Sequence, residues 1–430
     1  MVALAVVSTV LAGCAQVVPG QPSASEPPGP SDPGSVAVRT VQAYWDGEFE
    51  QAFDQQWRPI LDALPVHTED PRAAEPPCVR NLSDVEGQAF YCPAADIVAW
   101  DADGLLPDLQ ERFGEPGVIV VLAHEIGHAV QNRLGVDDAQ AQNPDLYPTI
   151  LLEAMADCYA GTAVADLAER RDPAVPMGPA ERDSAMLALV NFRDPLGVVP
   201  TNASAHGNAF DRVSAFLDGY LRGPRLCAAM SLANRDFTQR RFGNPEDLAR
   251  GGDLPLDDLV TAVERDARGY FAGLVPGFVP PPLNAPGRCD PTVLSLQGTT
   301  RFCATDGTVS VDRHGLDVLY QQLGDYAAAT LIVSRYALAA MAAAGVPTTG
   351  PDAGTAALCL TGAYTGDLIE PKGGFTLSPG DLDEAVTLLL RGDWAARDDA
   401  GRLRPDETGF DRVSHFRDGL LNGPGSCLHP

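Results

Sequence analysis

The chain has 430 residues, of which 45% are hydrophobic and 20% are charged, as in a globular protein with an ample core. This length predicts two or three domains. A formal net charge of -28 argues against nucleic acid as a partner, because phosphates are bound by Lys and Arg, and against electrostatic attraction to an anionic membrane surface. We find no apolar run that reaches the roughly 18 residues a membrane span requires.

The N-terminal segment, residues 1–14, has the features of a bacterial lipoprotein signal. The apolar stretch from Val2 to Ala12 ends in small residues before Cys14, which would be lipidated. Residues 15–37 are rich in Pro, Ser and Gly and predict a tether, which argues against a buried helix for the first segment. We therefore expect an extracytoplasmic protein, a cell-envelope lipoprotein or a secreted protein, with membrane attachment only through this lipid.

Globular sequence is expected to start near Val38. The spacing of residues 38–45 predicts a helix that packs its aromatic side chains inward. Further on, Cys78 and Cys92 flank a segment that leads into the alternating stretch Ile97 to Trp100. This pattern predicts a strand hairpin ahead of the next helix.

The apolar run from Val118 to Val130 predicts a buried helix that contains the sequence His124-Glu125-Ile-Gly-His128. The two histidines lie one helical turn apart on one face, so both imidazoles can reach a single metal ion. Glu125 lies about 100° around the helix, where a general base for a metal-activated water belongs. The alternative is a core helix with two hydrogen-bonded histidines.

After a polar segment, residues 135–148, a second helix is predicted from Thr149 to Arg170. Glu153 and Asp157 stand on one face of this helix, four residues apart, among apolar neighbours. Two carboxylates in such a setting need a cation or strong hydrogen bonds. A pair that faces the solvent is the alternative.

The second half of the chain repeats the first. Residues 210–227 recur as residues 410–427, displaced by 200 positions, and Phe90-Tyr-Cys92 recurs as Phe302-Cys303. A period near 200 predicts duplication of a whole domain rather than a solenoid. We expect a first domain over residues 38–245 and a second over residues 255–430.

The proposed metal ligands do not recur. His124, Glu125 and His128 fall opposite Arg335, Tyr336 and Ala339, whereas Glu153, Asp157 and His206 fall opposite Gly354, Leu358 and Asp406. If one copy folds without these residues, the other copy does not need them for folding. The second copy is therefore predicted to be a degenerate repeat without the metal site.

Nine cysteines in an acidic chain favour disulfides, and without Cys14 eight remain, four in each half. Eight cysteines allow 105 pairings, and repeat symmetry leaves three per half. Symmetry alone does not choose among those three. We favour Cys78–Cys92 with Cys158–Cys227, and Cys289–Cys303 with Cys359–Cys427.

Two imidazoles, a Glu carboxylate and a water make a tetrahedral site with an open position, as catalytic zinc requires. Glu125 would accept a proton from the activated water, and Asp157 would orient a ligating histidine through its second ring nitrogen. His206 is a candidate for stabilising the oxyanion, although a loop histidine without a catalytic role is an equal alternative.

The chain resembles the bacterial neutral zinc metallopeptidase family, within the gluzincins, over residues 38–227. The matching residues are Phe90-Tyr-Cys92-Pro, His124-Glu125-x-x-His128-x-x-Gln131, Glu153-x-x-Ala-Asp157-Cys158-x-x-Gly161, and His206-Gly before Arg212-Val-x-x-Phe216. The resemblance implies one Zn2+ per chain, held by His124, His128 and Glu153, with Glu125 catalytic. It also implies a zincin-like α+β fold.

The resulting hypothesis is an extracytoplasmic zinc peptidase that acts on a peptide or protein substrate. We expect each domain to be predominantly helical, with a small sheet ahead of the metal-binding helix. The rival hypothesis is a non-catalytic envelope lipoprotein that serves as a binding or scaffold module with a structural zinc. The oligomeric state is left open.

Overall fold

Helices dominate the computed structural model, which describes residues 32–370 and 374–427, and the predicted helix-rich α+β class is confirmed. The signal segment, Cys14 and residues 15–31 of the predicted tether lie outside the described residues. The helices are α1 Pro33–Phe53, α2 Leu105–Arg133, α3 Val136–Gln142, α4 Thr149–Arg170, α5 Pro179–Asn191, α6 Ala209–Arg222, α7 Pro224–Ala228, α8 Pro245–Ala249, α9 Leu256–Leu274, α10 Pro291–Ser295, α11 Arg313–Leu323, α12 Asp325–Ala343, α13 Ala353–Asp367, α14 Asp381–Arg391 and α15 Gly409–Asn422. The strands are β1 Asp62–Val66, β2 Ala89–Cys92, β3 Ile97–Asp101, β4 Thr300–Cys303 and β5 Thr308–Val311.

Helix α1 begins at Pro33, earlier than the predicted start of globular sequence at residue 38 and inside the predicted tether. Proline suits the first position of a helix because its φ is already helical and the missing N–H has no partner there. Gly34 packs against the ring of Trp100, where a side chain would collide with the indole. The aromatic side chains of Tyr44 and Trp45 are buried, as the helical spacing predicts, and Phe49 one turn further on is buried as well.

The predicted hairpin is formed by β2 and β3, which pair antiparallel. Strand β1, which the sequence analysis did not predict, pairs parallel with the other side of β3. The resulting order β1-β3-β2 leaves β2 at an edge of the sheet. All five residues of β3 are buried, whereas β2 is only partly covered.

The helix predicted over residues 118–130 is the second part of the longer helix α2. Gly114 interrupts α2 with a φ of 67° and a ψ of -167°, just before Pro116. Glycine takes this conformation without steric cost, and proline starts the new helical segment. Helix α4 has the predicted bounds, and the polar segment before it contains the short helix α3.

The C-terminal half contains β4, β5, α11, α12, α13, α14 and α15, in the order in which β2, β3, the two parts of α2, α4, α5 and α6 follow one another. Small residues permit the same close helix contact in both halves. A side chain at Gly219 would overlap the carbonyl of Cys158, and one at Gly419 would overlap the carbonyl of Cys359. Helix α4 therefore packs directly on the backbone of α6, as α13 does on α15.

The described residues from Pro33 onwards form one compact unit, and the contacts between its halves are reciprocal. The Asp183 carboxylate accepts hydrogen bonds from the backbone N–H groups of Gly409 and Phe410, each at 2.7 Å, at the start of α15. Asp383 accepts one from the N–H of Ala209 at 2.8 Å, at the start of α6. Each half thus supplies a carboxylate to the positive end of a helix in the other half.

Helix α12 is the only described helix that is long and apolar enough to cross a membrane, although no such run was found in the sequence. Within the protein, 89% of its apolar stretch is buried by surrounding elements. Its neighbours include α9, α13 and α14, which pack around it. The helix is a core element of the C-terminal half.

The eight described cysteines form four disulfides, Cys78–Cys92, Cys158–Cys227, Cys289–Cys303 and Cys359–Cys427. These are the pairs that the sequence analysis favours. The first of each half closes a loop that ends at a strand, with a sequence separation of 14. The second joins the helix α4 or α13 to the end of its half, across 69 or 68 residues.

Candidate metal centre

Close packing of α2 on α4 brings the residues of the candidate metal centre together. Gly127, between the two histidines, faces the backbone of Ala156, and a side chain there would approach its carbonyl oxygen to 2.8 Å. The absence of a side chain lets the two helices meet with their backbones almost in contact. His124 and His128 on α2 therefore face Glu153 on α4 across a short gap.

One ligand atom from each of His124, His128 and Glu153 lies within 4.8 Å of the others. Nε2 of His124 is 3.1 Å from Oε2 of Glu153, and Nε2 of His128 is 3.6 Å from Oε1. The donor atoms around a tetrahedral zinc ion lie about 3.3–3.5 Å apart, given metal–ligand bonds of about 2.0–2.2 Å. The spacing of these three side chains fits such an ion.

The other ring nitrogen of each histidine has a partner of its own. Nδ1 of His124 is 2.7 Å from Oδ1 of Asp157, the contact that the sequence analysis anticipates. Nδ1 of His128 is 3.0 Å from Oε1 of Gln131, whose amide nitrogen donates to the carbonyl of Leu152. Both partners are acceptors, so each Nδ1 carries the hydrogen and each Nε2 carries a lone pair.

The positions of the hydrogens on the two imidazoles show that the residues suit a metal ion. Two lone pairs on Nε2 face a carboxylate, and acceptors that face one another need a cation or a proton between them. Burial lowers the pKa of His124, but the carboxylates of Asp157 and Glu153 outweigh it and raise that pKa to about 10. Burial raises the pKa of Glu153, but the neighbouring histidines lower it well below its ordinary value. The centre is built for positive charge, and the donor set fits Zn2+.

Arg212 on α6 anchors the network from the other side. Its Nε donates to Oδ2 of Asp157 at 2.9 Å and its Nη2 to Oδ1 at 2.8 Å, while Nη1 donates to the carbonyl of Phe192 at 2.6 Å. Burial raises the pKa of the Asp157 carboxyl, but the charges and hydrogen bonds of Arg212 and His124 together outweigh burial and lower that pKa. Asp157 is thereby kept ionised and oriented for its contact with His124.

Glu125 lies beside the three candidate ligands without belonging to them. Its side chain is buried, and Oε2 accepts a hydrogen bond from the backbone N–H of Tyr91 on β2 at 3.0 Å. Burial raises its pKa, and the two nearby histidines counteract this only in part. A carboxylate with a raised pKa is a better proton acceptor, as a general base requires.

A cleft of about 950 Å3 opens over the centre, and the three candidate ligands and Glu125 are part of its wall. The edge strand β2 lines one side, and Arg193, Asp194 and His206 line another. Nδ1 of His206 lies 3.5 Å from Oδ1 of Asp194, and its side chain is about half exposed. The structure thus brings His206 to the same cleft, outside the group of three candidate ligands.

The equivalent place in the C-terminal half is filled. Arg335, opposite His124, is fully buried and donates to the carbonyls of Trp394 and Arg397 at 3.0 Å and of Ala395 at 3.1 Å. A side chain at Gly354, opposite Glu153, would overlap the carbonyl of Ala396. The segment 394–397 therefore lies against both positions, and the guanidinium donates to three of its four carbonyl groups.

Two residues of the network were not assigned a role by the sequence analysis. Arg212 has a counterpart, Arg412, so the comparison of the halves assigns it to the scaffold. One feature of the sequence could have pointed to Arg212. Asp157 has no acidic counterpart in the C-terminal half, so only the N-terminal half has a buried carboxylate there that needs a cation. Gln131 stands three residues after His128 on the same face of α2, a spacing that suits a side-chain contact.

Comparison with known proteins agrees with the metal chemistry of the N-terminal half. The model of a family described as "Putative neutral zinc metallopeptidase" matches residues 15–225, which supports the resemblance to that family. The uncharacterized proteins Rv2575 of Mycobacterium tuberculosis and Mb2605 of Mycobacterium bovis are each 30% identical over 164 residues, which is 34% of this chain and 56% of theirs.

The uncharacterized protein YpfJ of Escherichia coli K12 is 34% identical over 84 residues, 17% of this chain and 28% of its own. The alignment thus spans little more than half of the mycobacterial relatives. No solved structure matches the chain at comparable significance. The family match supports a zinc peptidase as the class of protein, and the names of these relatives add no activity.

Proposed function

We propose that the chain is an extracytoplasmic zinc-dependent peptidase that hydrolyses peptide bonds with Glu125 as the general base. The observation that carries this proposal is the position of Glu125. It is buried beside three candidate metal ligands, yet it is on the wall of a cleft large enough for a peptide. A structural zinc site needs neither an adjacent base nor an open cleft.

His124, His128 and Glu153 would hold one Zn2+ per chain. When bound, zinc supplies a Lewis acid that polarises a carbonyl and lowers the pKa of a water molecule. Glu125 takes the proton from the attacking water and passes it to the leaving amine, and its raised pKa suits both transfers. The contact of Tyr91 N–H with Oε2 fixes the carboxylate for this task.

The peptide substrate has an obvious place to bind. Strand β2 is an edge strand that lines the cleft, so the backbone groups on its open side, apart from the Tyr91 N–H that contacts Glu125, can pair with an extended peptide. His206 faces the same cleft, and its pKa is raised by the hydrogen bond to Asp194. A protonated imidazole there would donate to the oxygen on which negative charge develops.

The remaining architecture belongs to the same proposal. A tandem duplication gave residues 38–245, which keep the metal centre, and residues 255–430, a degenerate copy whose site is filled by Arg335 and segment 394–397. The order of elements, the disulfides and the reciprocal Asp183 and Asp383 contacts support duplication. Under this proposal the signal segment would carry lipid on Cys14 and hold the protein outside the cytoplasmic membrane.

The test is Glu125→Gln, which removes the base while keeping size and hydrogen-bonding ability. We expect one equivalent of zinc, an unchanged melting temperature and loss of peptide hydrolysis by about a hundredfold or more. Glu111→Gln, an exposed substitution on the same helix, is the matched control and should hydrolyse normally. Wild-type turnover in Glu125→Gln would refute the mechanism. Bound zinc with no hydrolysis by the wild type, over a broad peptide library, would favour the scaffold hypothesis.

A further inference from the structure

A second group of potential metal ligands lies away from the zinc centre. Carboxylate oxygens of Asp253, Asp325 and Glu384 lie within 4.8 Å of one another, and we call these three residues the acid cluster. Asp253 belongs to the segment between the two halves, Asp325 starts α12, and Glu384 lies in the first turn of α14. The cluster thus joins three parts of the chain that are far apart in sequence.

Within the described residues, the cluster has no positively charged partner. Asp325 is only 2% exposed, and its Oδ2 accepts a hydrogen bond from the N–H of Leu254 at 2.7 Å. Its buried Oδ1 has no hydrogen-bond partner in the part of the chain that the structure describes. Among residues 32–370 and 374–427, no arginine forms an ion pair with a member of the cluster. A buried carboxylate oxygen without a partner is costly, so such groups normally coordinate a cation or pair with one.

The neighbouring charges add to the excess of negative charge in the acid cluster. Burial and the carboxylates of Asp381, Asp325 and Asp253 raise the pKa of Glu384 to about 10. Asp381, at the start of α14, is itself 2% exposed and has a buried Oδ1 without a partner. The largest charge effects on Glu384 thus come from other acids.

Only one carboxylate oxygen of Glu384 is used by the hydrogen bonds that hold its side chain. Its Oε2 accepts hydrogen bonds from the N–H groups of Tyr326 at 2.7 Å and Ala327 at 3.4 Å, at the start of α12. Gly324, with a φ of 103°, makes room for the carboxyl group, since a side chain there would overlap it. The other oxygen, Oε1, remains for a ligand.

We propose that the acid cluster binds a calcium ion that ties the segment between the halves to α12 and α14. All its donors are oxygens, which calcium prefers and which disfavour a second zinc. Two oxygens bound to one calcium ion lie at most about 4.6–5.2 Å apart, given bonds of about 2.3–2.6 Å, and the three carboxylate oxygens lie within 4.8 Å of one another, which is compatible with a single ion. Asp253 and Glu384 also line a surface cleft of about 410 Å3, which gives the ion a path from solvent.

Binding is tested on the full chain, first stripped with EGTA and then titrated with CaCl2 in a calorimeter. We expect one calcium per chain and a melting temperature higher by about 3 °C or more at saturation, because the ligand binds only the folded state. MgCl2 should give a smaller shift, since magnesium demands near-ideal octahedral geometry. The same titration of His128→Ala should still show one calcium, which separates this site from the zinc centre.

Two variants and a control make the result specific. Asp325→Asn should abolish the calcium-dependent shift; because this position is buried, the half-buried Asp253→Asn serves as a second variant and should weaken binding tenfold or more. Asp258→Asn, an exposed acid nearby on α9, should behave like the wild type. Absence of calcium binding by the wild type, or unchanged binding in Asp253→Asn and Asp325→Asn, would overturn the proposal.

Discussion

Arg212 donates a hydrogen bond to each oxygen of the Asp157 carboxylate, and Asp157 in turn orients the imidazole of His124. The arginine lies on a different helix from both of these residues. The pair is fully buried, and its two hydrogen bonds run side by side from Nε and Nη2. Such a fork aligns the carboxylate in a plane, which a single ammonium group does not do. The geometry of the metal centre therefore depends on α6 as well as on α2 and α4.

Arg212→Lys should weaken zinc binding by about 10–100-fold, the usual cost of disturbing a partner of a ligating histidine. The charge is kept, but the second hydrogen bond to Asp157 is lost. Competition with a chromophoric chelator measures the zinc affinity. The matched control is Arg412→Lys in the C-terminal half, whose guanidinium donates to the carbonyl of Leu389 and touches no metal ligand. Equal losses in both variants would show that the effect is one of folding alone.

The reciprocal contacts between the halves predict unequal effects on activity. Asp383 accepts hydrogen bonds from Arg193, on the cleft wall, at 2.8 Å and from the N–H of Ala209, at the start of the helix that carries Arg212. Asp183 makes the equivalent contacts to α15 of the other half. We expect Asp383→Asn to lower kcat/KM about tenfold and Asp183→Asn to leave it near the wild-type value.

Both substitutions should cost about 1–3 kcal/mol of stability, since each weakens a charged acceptor that is buried in Asp383 and partly buried in Asp183. Assays belong at pH 8, because burial raises the pKa of Asp383 to about 6 and its carboxylate must be ionised. Peptide hydrolysis and thermal unfolding are measured on the same preparations. Activity that falls in parallel with stability in both variants would contradict a positioning role for Asp383.

Much of this arrangement could be predicted from the sequence, for a physical reason. This metal site consists of two histidines one turn apart on one helix and a carboxylate on a second buried helix. Each of these patterns is visible within a single helix in the sequence. The symmetry of the halves reduced the disulfide possibilities to three pairings per half, and the structure shows the favoured one. By contrast, strand β1 is short and irregular, and its parallel partner β3 lies more than thirty residues further on, so no local pattern marks it.

The contacts that support the centre were harder to predict because they depend on tertiary packing. Arg212 reaches Asp157 only because Gly219 lets α6 approach α4 without a side chain between them. The acid cluster likewise gathers Asp253, Asp325 and Glu384 from three separate segments. Periodicity indicates which face of a helix is buried, but it does not identify the partner that covers that face.

Glu407 should make the stability of the protein depend on pH. Both of its carboxylate oxygens are buried and have no hydrogen-bond partner among residues 32–370 and 374–427, and burial raises its pKa to about 7. A carboxyl group with a raised pKa in the folded state favours folding when protonated, and this contribution is lost as the pH rises from about 4.5 towards 7. Ionised Glu407 therefore destabilises the folded state at pH 8.

Glu407→Gln should be more stable than the wild type at pH 8 by about 1–2 kcal/mol, after allowance for the partial solvent exposure of this side chain. The advantage should shrink to nearly nothing at pH 5. Urea unfolding at pH 5, 6, 7 and 8 gives the difference in free energy of unfolding between the two proteins. Glu246→Gln, on an exposed helix, should show no such trend. A constant difference across these four pH values would exclude Glu407 as its origin.

Restoring ligand residues to the C-terminal half should not create a second zinc site. In the triple variant Arg335→His, Ala339→His, Gly354→Glu, the new glutamate would overlap the carbonyl of Ala396. Loss of Arg335 also leaves the carbonyls of segment 394–397 without their buried donor, which costs about 1–3 kcal/mol for each unsatisfied group. Elemental analysis should therefore find one zinc per chain and calorimetry a lower melting temperature. Two zinc ions per chain would mean that segment 394–397 moves aside easily. The C-terminal half would then lack a zinc site only because its ligand residues are missing.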